Sequence, residues 1–312
     1  MCDDEVNRME KLPALREPMD MPDPFFPLKL HHCRFAQSGI TTFPHHWHEH
    51  IEFLYIVEGE ARFSCNSDSY DVAAGDLIVI NGTDLHHGIS LSDDLFYYAL
   101  IVDPALLHSH TVDTVEAKYI TPITQNRIRF ANKIGRDETA ARECLVSLIE
   151  EFKNREFGFE LAVKSWLYRL LTVLLRKHVA AHFSPADYSS RIRQLERLDP
   201  VFRHVEEHYA ERLTVDRLAA IARMSRFHFS RVFKELTNRS VTEYINFVRI
   251  NKSEYELRHT EKTIAEIATA NGFNDIYYFS RLFKTYKNVS PSALRKTAMP
   301  GQAQIMPNPS GK

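Results

Sequence analysis

Histidine is concentrated in one part of this 312-residue chain: eight of its 16 histidines fall between His31 and His87. The densest run, PHHWHEHIEFLYIVEG at residues 44–59, sets His46 and His48 two apart and Glu52 four further on. On an extended strand alternate side chains share a face, so His46 and His48 point the same way. A second hairpin can bring His86 opposite them. Imidazole and carboxylate suit a divalent metal such as Zn, Fe, Mn or Ni. They equally suit hydrogen bonding to a polar small molecule in a barrel mouth. His31, His32, His45, His50 and His87 have no such spacing and read as ordinary, partly exposed histidines. Trp47, Tyr55 and Phe63 read either as pocket wall or as barrel core.

A second set of chemistry-bearing residues lies in the C-terminal half. Phe229-Ser230-Arg231-x-Phe233-Lys234 recurs as Phe279-Ser280-Arg281-x-Phe283-Lys284, an offset of 50. Helical spacing puts the paired phenylalanines on one buried stripe and leaves Ser and Arg outside. An exposed Arg can donate in a fork to guanine O6/N7, and Ser can serve bases or phosphates. Arg226, Lys234, Arg239 and Lys284 suit phosphates, which give affinity without sequence reading. By contrast, GxSxG, GxxxxGK[ST] and GxGxxG are all missing, and glycine is scarce at 10 residues. That argues against a nucleophile elbow or a phosphate-cradling loop.

The elements that must position these residues follow from periodicity. Residues 28–102 are short β-type runs (IEFLYIV, ARFSC, DLIVI, LFYYALIV) separated by turn signals such as AAGD and NGTD, the pattern of a sandwich or barrel. Helical periodicity begins near Asp137, with one helix over 138–154 and a second from Phe159 to Ala181. The second is apolar around most of its girth, which predicts burial against its own barrel or a partner helix. From Leu198 to Thr297 everything reads helical, with Asp199–Pro200 as a helix start. Thr263–Glu266 has capping-box spacing. The expected organisation is a flexible arm over 1–24, a sensing domain over 25–135, a helical dimerisation region over 136–182 and a linker over 183–197. A DNA-binding domain over 198–297 and a disordered tail over 298–312 complete it.

Composition sets the class. Apolar residues at 44% and charged residues at 26% are ordinary for a globular protein. The apolar runs are too short to span a bilayer, and the acidic N-terminus has no signal-peptide core. Four scattered cysteines argue for a reducing cytoplasm and against a disulfide framework. Residues 1–190 carry 18 basic and 28 acidic side chains, whereas residues 191–296 carry 20 basic and 13 acidic. Only the second part is therefore poised to meet a polyanion.

The repeat is longer than the FSR motif. Thr214, Leu218 and Ala219 align with Thr263, Ile267 and Ala268 at an offset of 49, and Ser240 aligns with Ser290. The one-residue change falls in the turn between two helices. On these residues, and above all on IAEIATANGFNDIYYFSRLFKTYKNVSP, the C-terminal hundred residues resemble the AraC/XylS family of bacterial transcription regulators. The resemblance implies two helix-turn-helix units bridged by a helix over about 241–259. Phe227, Ser230 and Arg231 would face bases from the first unit, and Tyr277, Ser280 and Arg281 from the second. The family usually has Gly where this chain has Asn238 and Asn288; Asn tolerates the left-handed backbone of a helix C-cap.

The N-terminal histidines have a resemblance of their own. His46-x-His48-x-x-x-Glu52 followed by Gly59, then Gly75 through Asn81 to His86, is similar to the two cupin motifs. In metal-binding cupins these positions supply three His and one carboxylate, which would make His46, His48, Glu52 and His86 the metal ligands. In AraC-type sensor domains such a stretch implies instead a small-molecule pocket, with His46, Trp47, His48, Glu52, Tyr55 and His86 as effector contacts. The expected fold class is α+β, a cupin-like β-barrel with following helices and then an all-α domain with two helix-turn-helix units. The expected function is a ligand-responsive activator that senses a sugar or related metabolite. Its partners would be double-stranded DNA, an effector, a second copy of the chain and RNA polymerase. The alternative is a metal-dependent cupin enzyme fused to a helical DNA-binding domain.

Overall fold

The computed structural model describes residues 16–108, 113–237, 239–287 and 289–298. The expectations placed on residues 1–15, on Asn238, on Asn288 and on residues 299–312 lie outside these. Eight strands come first: β1 (Leu28–Phe35), β2 (Thr41–His46), β3 (Ile51–Glu58), β4 (Glu60–Cys65), β5 (Asp68–Ala73), β6 (Leu77–Ile80), β7 (His86–Ser90) and β8 (Leu95–Val102). A short helix α1 (Thr121–Thr124), β9 (Ile128–Phe130) and β10 (Lys133–Ile134) follow. Then come α2 (Thr139–Asn154), α3 (Phe159–Lys177) and β11 (Val179–His182). The main sheets are antiparallel, in the orders β1-β8-β3-β6-β10 and β2-β7-β4-β5.

Alternation along β3 decides what each side chain meets. Leu54 and Ile56 pack with Phe63, Cys65, Ile78, Ile80 and Tyr97 in a core formed from both sheets. Ile51, Phe53 and Tyr55 point the other way, into a second core with α2 and α3. Each fully buried Leu or Phe contributes about 1.5–3 kcal/mol, so β3 is held from both faces. The greasy helix α3 spends its apolar girth here. Val163, Leu167, Leu170, Leu171 and Leu174 are all buried in the same core, while Leu161 stays exposed.

Three expectations are corrected. The second helix ends at Lys177 rather than Ala181; Val179–His182 instead forms β11 on β9, which gives its backbone groups ladder partners. The stretch expected as a linker is helical, and Pro200 lies inside α4 (Pro185–His208) rather than starting a helix. An interior Pro costs about 3 kcal/mol. Leu195, Leu198, Val201 and Phe202, buried on either side of it, offset that. Finally, within the described part of the arm expected to be loose, Arg16 and Glu17 are tied down: Arg16 bridges to Trp47, and the Glu17 amide donates to the Trp47 carbonyl.

The remaining helices are α5 (Val215–Ile221), α6 (Arg226–Thr237), α7 (Val241–His259), α8 (Ile264–Ala270), α9 (Ile276–Lys287) and α10 (Pro291–Ala298). The chain divides into two compact units, Met1–His204 with Val215–Val241, and Val205–Thr214 with Thr242–Lys312. In the first, α5 and α6 close over Leu218, Ala219, Phe229 and Phe233, and Phe202 stacks on Phe233 with ring centres 5.1 Å apart. In the second, α8 and α9 close over Ile267, Ala268, Phe279 and Phe283 together with Ile250 and Leu257 of α7. Thr263 and Glu266 form the full capping box at the start of α8.

Candidate functional sites: a histidine–carboxylate pocket and two basic helices

Strand register builds the pocket. β2 and β7 run antiparallel with His46 directly opposite His86. His48 follows in the loop that leads to β3, and Glu52 sits near the start of that strand, of the same parity as Leu54 and Ile56. One donor atom from each of His46, His48, Glu52 and His86 lies within 4.8 Å of the others, with His48, Glu52 and His86 buried. His48 Nε2 is 3.2 Å and His86 Nε2 3.3 Å from Glu52 Oε2. The Phe43 ring stands edge-on to both His46 and His86.

The other nitrogen of each ring settles what faces inward. Nδ1 of His46 lies 2.9 Å from the Pro44 carbonyl, that of His48 3.2 Å from the His50 carbonyl, and that of His86 2.7 Å from the Asp84 carbonyl. A carbonyl oxygen only accepts, so each Nδ1 carries hydrogen and each Nε2 is turned into the cluster. In neutral rings those Nε2 lone pairs confront carboxylate lone pairs. His86 Nε2, though close to Glu52, is buried without a properly directed hydrogen bond. Such a set calls for a cation, either a proton or a divalent metal, and its three nitrogens and one carboxylate fit the latter.

Burial pushes the His46 imidazole well below its ordinary pKa, and His86 and His48 push it further. For Glu52 burial acts upward, yet His48 and His86 outweigh it and hold the carboxyl well below the usual range. His86 also feels burial downward, but Glu52 beside it leaves that imidazole raised.

The other expected pocket residues divide. Phe63 stacks on Phe43 in the core between the sheets. Tyr55 packs with the α2–α3 core on the opposite face of β3 from Leu54, so its expected effector contact is corrected: three residues from Glu52, it has the wrong parity. Trp47 is buried, with the Arg16 guanidinium 5.6 Å from its ring centre. Two features went unread in the sequence. His45 and His87 stack at 3.9 Å, both buried. Burial drives both imidazoles down, that of His87 to about 3, and Arg239 adds to the shift in each. Arg239, expected at phosphates, is thus electrostatically tied to this pair. The second feature is buried Asp84, which accepts from Asn66, Asn132 and Arg129 and lies 3.7 Å from Arg191. Only its long-range partners would have exposed it, and these carry no spacing signal.

The basic helices divide into two faces. On α6, Phe229 and Phe233 are buried with ring centres 5.5 Å apart, while Arg226, Phe227, Arg231 and Lys234 are exposed and Ser230 is half-buried. On α9, Phe279 and Phe283 are buried 5.6 Å apart, while Tyr277, Arg281 and Lys284 are exposed and Ser280 is half-buried. Phe227 at 87% and Tyr277 at 84% exposure are large rings left in water. Local partners hold the charges only lightly. Arg226 pairs with Asp216 at 3.1 Å, Arg231 with Glu235 at 3.8 Å, and Arg281 lies 6.0 Å from the Tyr278 ring centre.

A β domain with an inward polar cluster, followed by two helix-turn-helix units with basic outer faces, defines a ligand-binding transcription regulator. The chain belongs to the AraC family of such regulators: residues 31–171 match the AraC-like ligand binding domain and residues 218–297 the helix-turn-helix domain. It is 25% identical over 257 residues to the uncharacterized HTH-type transcriptional regulator YdeC of Bacillus subtilis, covering 81% of this chain and 86% of that one. It is 28% identical over 246 residues to the Msm operon regulatory protein of Streptococcus mutans, covering 78% and 82%. To the HTH-type transcriptional activator RhaS of Klebsiella pneumoniae it is 24% identical over 289 residues, covering 86% and 96%. No described helix is long and apolar enough to cross a membrane.

Proposed function

We propose that this regulator is a cytoplasmic, ligand-responsive activator rather than an enzyme, and that α6 and α9 read successive major-groove segments of one promoter. The observation that carries the reading is the repeated outer face. Phe227, Ser230, Arg231 and Lys234, and again Tyr277, Ser280, Arg281 and Lys284, stand at one helical spacing opposite buried phenylalanines. In this reading the arginines, serines and exposed rings meet bases, and Arg226, Lys234 and Lys284 meet phosphates. The effector is a sugar or related polar metabolite held around His46, His48, Glu52 and His86, with or through a divalent metal. A relative that is named as an activator supports the direction of control, and an activator of this kind would act on RNA polymerase. Exposed Phe25, Phe157 and Leu161, close in sequence to the packed pair Phe26 and Phe159, support a homodimer.

The test is a binding-site selection followed by salt titration on the selected duplex. Arg281→Ala is expected to cost about 1–3 kcal/mol at the cognate site and to relax preference at one base position. Lys284→Ala is expected to weaken all duplexes alike and to reduce the salt slope by about 1. Equal affinity for unrelated duplexes, or no salt dependence, would reject the reading. The four-donor cluster favours one other reading, a metal-dependent cupin enzyme carrying a DNA-binding domain. Turnover by metal-loaded protein, lost in His86→Ala, would establish it instead.

A further inference from the structure

The histidine cluster has a neighbour that no motif contains. Glu17 Oε2 lies 3.1 Å from His46 Nε2, and its side chain is 30% exposed beside a His46 side chain that is 13% exposed. Glu17 therefore stands on the solvent side of the set, and Glu52 on its buried side. We propose that Glu17 is a further metal ligand, delivered by the N-terminal segment, so that filling the site with a divalent cation and docking residues 16–17 are one event. The proposal rests on reading His46, His48, Glu52 and His86 as a metal site.

Three observations carry it. The first is spacing. Ligand atoms about 2.1 Å from a metal and adjacent in its coordination shell stand about 3.0–3.4 Å apart. The contacts Glu17–His46, His48–Glu52 and His86–Glu52, at 3.1, 3.2 and 3.3 Å, all fall in that range. The second is hydrogen placement. His46 donates its Nδ1 hydrogen to the Pro44 carbonyl, so its neutral Nε2 has no hydrogen to give the Glu17 carboxylate. Two acceptors at 3.1 Å repel unless a cation lies against both. The third is charge: three neutral imidazoles and two carboxylates balance a divalent ion, whereas Glu52 alone leaves one positive charge uncompensated near a buried site.

Other acidic groups nearby have other attachments. Glu49 pairs with Arg16 at 2.7 Å, and Asp103 accepts from the Ala105 amide and lies 3.3 Å from His50. Several other contacts also tie down the segment. The Arg16–Glu49 pair is largely exposed and worth about 0–1 kcal/mol. The Glu17 amide adds one hydrogen bond to the Trp47 carbonyl, a net of about 0.5–1.5 kcal/mol. The Arg16 guanidinium over the Trp47 ring also holds the segment, and a metal–carboxylate bond at Glu17 would add to these contacts.

The experiment titrates the full chain, freed of metal by chelation, with Zn²⁺ and with Mn²⁺ against a competing chelator, in wild type, E17Q and H86A. Amide hydrogen exchange is read at residues 16–18 with and without metal. The expected result is tight binding by wild type, loss in H86A and at least tenfold weaker binding in E17Q. Metal should slow exchange at residues 16–18 in wild type and not in E17Q. Equal affinity and equal protection in wild type and E17Q would overturn the role of Glu17 while leaving the four-residue site intact. Weak binding by wild type, or wild-type affinity in H86A, would overturn the metal site itself and the proposal with it. Unchanged circular dichroism and melting in E17Q separates lost ligation from lost fold.

Discussion

Two kinds of buried titratable group set the acid response of the first unit. His45 and His87 are pushed down by burial, His87 to about 3. A base whose pKa is depressed on folding binds protons more readily when unfolded. Its stability contribution is therefore complete above the unfolded value of about 6.5 and is lost as pH falls below that. Asp84 behaves in a lower window. Burial acts to raise it, but the charges of Arg129 and Arg191 hold it well below the carboxylate range. Its contribution is full above the unfolded value of about 3.9 and fades as pH falls further. Denaturation midpoints should decline first between pH 6.5 and 5, then again below about 4; a flat curve from pH 7 to 5 would show that the histidine pair is not held neutral. Asp84→Asn should cost about 3–5 kcal/mol at pH 7, because two guanidinium groups lose their buried counter-charge. At this scale much of the pocket was legible. Alternation alone aligned His46 with His48, and the hairpin reading brought in His86. Glu17 and Asp84 were not, since nothing periodic links residue 17 to 46 or residue 84 to 129 and 191.

At the scale of elements, the twin units carry the same turn with different residues. Arg223 has φ 53° between α5 and α6, and Gly272 has φ 79° between α8 and α9. These positions are 49 apart, the offset of the helices before the turn, so the inserted residue falls after the left-handed position. A left-handed backbone costs an ordinary residue about 1–2 kcal/mol and glycine almost nothing. The second turn is also tighter, because a Cβ at 272 would lie 2.5 Å from the Ala210 carbonyl oxygen. Gly272→Ala should therefore destabilise the second unit by about 2–3 kcal/mol and lower duplex affinity. Arg223→Gly should be neutral or stabilise by up to about 1 kcal/mol. Urea denaturation of the two variants checks both, and equal effects at the two positions would contradict the argument. Repeat spacing made the paired helices readable, and the family resemblance implied the bridging helix found at Val241–His259. The periodicity failed where long-range pairing decides. Val179–His182 is drawn from helix to strand by β9, and the stripe around Pro200 overrides its local preference.

Across the whole molecule, charge was the most legible feature: the acidic first part is repelled by a polyanion and the basic second part is attracted. A regulator needs more than separate partners. Its effector can act only through groups whose arrangement differs between states. One physical path leaves the pocket through covalent and hydrogen-bonded steps. His86 Nδ1 donates to the Asp84 carbonyl, and the Asp84 side chain lies 3.7 Å from Arg191. Arg191 also donates to the Thr83 carbonyl at 3.1 Å and to Asn66. It sits on α4, the helix that leaves the β domain. These contacts join residues 108 and 125 apart in sequence, which is why no local pattern announced them. Arg191→Ala removes that link while Asp84 keeps Arg129 as counter-charge. The variant should still bind a metabolite that raises the wild-type melting temperature, because no pocket donor is changed. Its duplex affinity should no longer respond to that metabolite, where a coupled wild type should shift by about 5–150-fold. Calorimetry reads the first and fluorescence anisotropy the second. A variant that binds the metabolite and still changes its duplex affinity as wild type does would show that the signal travels another way.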